Sequence, residues 1–97
     1  MDTERVARME DTLNECTEAA AMLNAGLERM DGLREKMMEL FRYYGSEDWY
    51  RDREGDIPEG MKAGVLDEDS VYDLITDIRD TAIHMLELST DILKNRI

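Results

Sequence analysis

Six residues toward the C-terminal end recur at three- and four-residue steps: Asp73, Asp77, Asp80, His84, Glu87 and Asp91. On a helix this spacing puts them on one face, as metal ligands are placed in carboxylate-bridged bundles. In those bundles the ligands point into the core, whereas this face lies opposite Val71, Ile75, Ala82 and Met85. The Glu-x-x-His pair of di-iron helices is missing too, because the third residue before His84 is Thr81. The pattern predicts a solvated charged face and no metal. A second set, Glu28, Glu35 and Glu39, has spacings that all-α nucleotide pyrophosphatases use around magnesium. Joined by Asp77 or Asp80, it defines the enzymatic alternative, a magnesium-dependent nucleotide phosphohydrolase. Arg34 and Lys36 lie beside Glu35, so surface charge pairing explains the set more simply.

Two loop motifs fail on inspection. The run from Gly55 to Lys62 resembles a phosphate-binding loop, but its Lys is one place late and neither Ser nor Thr follows. The stretch Asp52–Asp56 lacks the alternating oxygen ligands of a calcium loop. Cys16 is the lone cysteine and reads as a small buried hydrophobe; His84 is the lone histidine and has no nucleophile beside it. No catalytic residue, cofactor or metal is expected.

The remaining cluster is aromatic. Tyr43, Tyr44, Ser46, Trp49, Tyr50 and Asp52 fall within ten residues, a mixture of ring surface and hydrogen-bonding tips suited to recognition. These six are the candidate binding residues. The competing role is structural, with Trp49 and Tyr44 capping the open end of a bundle.

The elements that must carry this cluster are legible from hydrophobic spacing. From Val6 to Tyr44 apolar residues follow a three-four pattern: Val6, Leu13, Ala20, Leu27 and Phe41 in one series, and Met9, Cys16, Leu23, Met30, Met37 and Tyr44 in the other. Arg34 alone interrupts it, placed to snorkel outward or to pair with an acid of another helix. A seam on seven-residue steps predicts a long helix, about residues 3–44, that supercoils against a partner. Asp2 can cap its start, and Asp31-Gly32 is the one turn signal inside it, overridden by the continuing seam. Residues 45–66 show no period, contain the only Pro and Trp, and predict an ordered loop shaped by Pro58 and Gly64. Asp67 then caps a second helix, about residues 68–95, with Leu66 placed to staple onto Val71. Its apolar arc, in which Ile97 also falls, covers roughly half the circumference, wider than one neighbouring helix needs. The expected architecture is an all-α antiparallel hairpin, pairing with a second copy into a four-helix bundle.

Composition narrows the partners. The 97 residues form one domain with 24 acidic against 12 basic side chains, a net charge of −12. Such a surface repels nucleic acid and anionic lipid, and no basic cluster offsets it. No apolar stretch approaches the length of a membrane span, and neither a secretory signal nor a pairable cysteine is present, so the cytoplasm is the expected compartment.

The pattern Tyr43-Tyr44-Gly45-Ser46, Trp49, Asp52, Ile57-Pro58, Gly64-Val65-Leu66, Glu68-Asp69 and Val71-Tyr72-Asp73-Leu74 resembles a family of short acidic bacterial proteins described only as a domain of unknown function. Asp67 stands where that family has Ser, and both cap helices. The resemblance implies a bacterial cytosolic helical protein and supplies neither activity nor cofactor. The expected function is a non-catalytic interaction or structural module: a homodimer, open to a further protein partner. An acidic decoy for a basic nucleic-acid-binding protein is the other alternative.

Overall fold

A computed structural model describes residues 1–95; Ile97 of the expected apolar arc lies outside the described residues. The described chain is all-α: α1 (Thr3–Gly32), α2 (Arg34–Tyr43), α3 (Glu47–Glu54) and α4 (Ser70–Asn95), with a 3-10 turn at Gly64–Leu66. It divides into two compact units, Met1–Met37 and Met38–Ile97.

The first unit is dominated by α1, whose 30 residues extend about 45 Å at 1.5 Å each. Asp2 caps it, its Oδ1 accepting from the Arg5 N–H at 3.0 Å. This satisfies one of the donors that a helix start leaves unpaired. No residue of α1 is buried. Val6, Met9, Leu13, Leu23, Leu27 and Met30 of the seam stand between 39% and 57% exposed. Cys16, expected to be buried there, is exposed as well, because α1 buries none of its residues.

The expected single helix over residues 3–44 is interrupted at Leu33, the residue after Gly32. Leu33 has φ −98° and ψ −1°, and its N–H is shared between the carbonyls of Arg29 and Met30, both at 3.1 Å. A bond from the Met37 N–H to the Leu33 carbonyl, 2.8 Å, continues the helical ladder beyond it. The interruption is thus one residue wide, set beside a glycine that favours the helix less than any residue but Pro. Arg34 turns outward and its Nε lies 3.5 Å from Asp31 Oδ1, so the odd residue of the seam pairs within its own turn.

The second unit holds the only buried side chains among the described residues, Trp49 and Val71, at 3% and 4% exposure. The 3-10 turn touches both α3 and α4. Around this small core Leu40, Phe41, Leu66, Ile75 and Ile78 are half-buried.

Residues 45–66 are not wholly a loop, since α3 occupies Glu47–Glu54. Gly45 at φ 81° ends the preceding helix in the left-handed conformation that glycine adopts without strain. Ser46 then restarts the chain, its Oγ accepting from the Trp49 N–H at 3.2 Å. Glu47 and Asp48 sit in the first turn and Arg51 and Arg53 in the last, each sign opposing the helix dipole. The start of α4 also differs, at Ser70 rather than residue 68. The Asp67 carboxylate takes the Asp69 N–H at 3.4 Å and the Ser70 hydroxyl at 3.1 Å, forming a side-chain turn ahead of the helix. Among the described residues no helix is long and apolar enough to cross a membrane.

Candidate functional site

All six candidate binding residues lie in the second unit, and the structure sorts them into different roles. Trp49 is a plug. Its indole N–H donates to the Val65 carbonyl at 2.9 Å, which satisfies the one polar atom of a buried ring. Tyr44 and Tyr50 stack on it edge to face, each with ring centroids 5.0 Å away. The Arg53 guanidinium carbon lies 4.6 Å from the centre of the Trp49 ring, in range for a cation–π contact. The same guanidinium reaches Glu68 Oε1 at 3.3 Å. Ser46 has the capping role already described, and its own hydroxyl donates to the Tyr43 carbonyl at 2.6 Å. It is committed to the α2–α3 corner.

Tyr43 and Tyr44 are adjacent and bond in different places. The Tyr43 hydroxyl donates to Asp52 Oδ2 at 2.6 Å. That hydrogen bond, together with the negative charges of Asp52 and Asp48, raises the phenol pKa to about 12. The Tyr44 hydroxyl instead donates to the Glu68 carbonyl at 2.7 Å, tying the end of α2 to the approach to α4.

Two hollows result. The first, of about 390 Å³, is lined by Tyr43, Asp52, Ile57, Pro58, Met61 and Val65, among others. Pro58 shapes its rim: the Met61 N–H bonds the Pro58 carbonyl at 3.1 Å, with Gly60 at φ 82°. That is the positive angle a type II turn needs at its third residue. The second hollow, of about 480 Å³, is lined by Tyr44, Gly45, Trp49, Tyr50, Arg53, Glu68, Asp69 and Tyr72. Sequence reasoning missed Arg53, Glu68, Asp69 and Tyr72. Tyr72 carried a visible signal, an aromatic residue at the margin of the apolar arc of α4. Glu68 and Asp69 carried their place in the family pattern and their charge, neither of which set them beside the aromatic cluster.

The carboxylate sets behave as surface charge. Asp73, Asp77, Asp80, His84, Glu87 and Asp91 are exposed, and so are Glu28, Glu35 and Glu39. Among the described residues no three acidic, histidine or cysteine side chains converge as metal ligands.

No curated protein matches this chain, and no solved structure does. A family model described as Domain of unknown function (DUF4298) matches residues 6–88, nearly the whole span from the exposed seam of α1 through both hollows and most of α4. The chain belongs to that family.

Proposed function

We propose that the protein is a non-catalytic interaction module that pairs with a second copy of itself along the seam of α1. One observation carries the proposal: six apolar residues on seven-residue steps stand 39–57% exposed on a helix that buries nothing. Scattered apolar residues on a surface need no explanation, but a stripe about 36 Å long from Val6 to Met30 does. Its period of 3.5 matches the knobs-into-holes packing of left-handed coiled coils. In the proposed assembly α1 and α4 form an antiparallel hairpin, and two hairpins close a four-helix bundle. The exposed apolar residues of α4, among them Leu74, Ile83, Leu86 and Leu93, give the second surface that such a bundle uses.

Within this proposal the aromatic corner Tyr43–Asp52 holds the end of the bundle and presents Tyr50 to a further protein partner. The charge of −12 argues against nucleic acid as that partner.

Light scattering after size exclusion tests the pairing. The 11.3 kDa chain should elute at twice its mass at low micromolar concentration. Leu13→Glu with Leu27→Glu removes about 3–6 kcal/mol of apolar burial and should weaken the dimer at least a hundredfold, leaving monomer. A wild-type monomer, or a dimer indifferent to both substitutions, would overturn the proposal.

A further inference from the structure

We infer that the second hollow is a recognition site for a cationic side chain, the Lys or Arg of a basic peptide segment on another protein. It is lined by Tyr44, Trp49, Tyr50 and Tyr72, by the acids Glu68 and Asp69, and by Arg53. Ring faces carry negative quadrupole potential and carboxylates carry full charge, so the exposed Tyr50 and Tyr72 and the Asp69 carboxylate favour a cation beyond the one that Arg53 supplies to Glu68. At about 480 Å³ the hollow is a shallow surface groove, open enough for one side chain of a partner to lie in it.

The molecule already holds one guanidinium on this wall. Arg53 lies 4.6 Å from the centre of the Trp49 ring and 3.3 Å from Glu68, a cation held between an aromatic face and an acid. What Arg53 leaves unused is the same chemistry repeated further out. Tyr50 and Tyr72 are 56% and 60% exposed. Asp69 is exposed, and its carboxylate has no hydrogen-bond or salt-bridge partner among the described residues. The inner part of the wall is fixed in advance, by the Tyr44 hydroxyl on the Glu68 carbonyl and the Trp49 indole on the Val65 carbonyl. Prior ordering lowers the entropy cost of binding. The charge of −12 draws a basic segment toward the surface before contact, so the occupant is a basic peptide of another protein and not a second copy of this acidic chain.

The test is a titration of the full chain at low salt with a short diarginine peptide and with its uncharged citrulline counterpart. Ring-proton NMR of Tyr50 and Tyr72 and the emission of the single Trp serve as readouts. The arginine peptide should shift these signals saturably, and the citrulline peptide should not. Tyr72→Ala and Asp69→Asn should each weaken binding about threefold, the effect expected for one exposed cation–π or charge contact. Tyr72→Leu, which keeps apolar bulk at the same place, should lose the same threefold with the melting temperature unchanged. Equal binding of both peptides would overturn the inference, as would full affinity in Tyr72→Leu or shifts confined to other residues. Pairing along α1 is read separately by mass, so either idea can fail while the other stands.

Discussion

The bond from Tyr43 to Asp52 is the clearest case of one residue altering another's chemistry in this protein. A phenol donating to a carboxylate at 2.6 Å would, on losing its proton, place two negative charges in contact. Its pKa accordingly rises from 10.0 to about 12. The folded-state value is raised above the unfolded one, so the bond's contribution to stability is fully present below about pH 10. It is lost as pH climbs through about 12. Alkaline titration followed in the tyrosinate absorption band should therefore show a late step that Asp52→Asn abolishes. A late step that persists in Asp52→Asn would show that the hydroxyl has another partner. At this scale the sequence was partly legible. The cluster of Tyr43, Tyr44, Ser46, Trp49, Tyr50 and Asp52 stood out by composition, but its division between two hollows did not. Neighbouring side chains on a helix point about 100° apart, so Tyr43 and Tyr44 must diverge. Which direction meets Asp52 and which meets Glu68 depends on the path of the chain through α3.

Elements were legible in proportion to their length. α1 and α4 announce themselves because a 3.6-residue period sustained over 30 and 26 residues is hard to produce by chance. α3 is eight residues long and buries only Trp49, too little for any period to emerge. Its signal was chemical rather than periodic, a Ser cap followed by two acids and closed by two arginines. The interruption at Leu33 lay one residue beyond the turn signal Asp31-Gly32, where the seam outweighed it in the reading of the sequence. Glycine marks the contrast between two elements that can be tested together. Gly26 lies inside α1 with open space around the position of a Cβ, so Gly26→Ala should stabilise α1 by about 0.5–1 kcal/mol. Gly45 also has open space, but its φ of 81° is strained for any L side chain. Gly45→Ala should destabilise the α2–α3 corner by about 1 kcal/mol, whatever room surrounds it. Urea denaturation should give these opposite signs; stabilisation by Gly45→Ala would mean that the corner does not need a left-handed residue.

For the whole molecule the deciding balance lies between apolar stripe and net charge. Pairing along α1 hides Val6, Met9, Leu13, Leu23, Leu27 and Met30, but it also brings together two chains that each carry −12. The first effect is insensitive to moderate salt, whereas the second is screened within about 10 Å at 0.1 M. Self-association should therefore tighten as salt rises, by roughly three- to tenfold in Kd between about 0.05 M and about 0.5 M sodium chloride. Capture of a basic peptide in the hollow of Tyr50, Tyr72 and Asp69 rests on attraction between unlike charges, so it should weaken over the same range. Sedimentation for the pairing and peptide titration for the hollow should give slopes of opposite sign from one preparation. A dimer that dissociates with salt would mean that charge pairing, not the apolar seam, holds the copies together. Arg5, Arg8 and Arg29 of α1 would then be the residues to exchange, in place of Leu13 and Leu27.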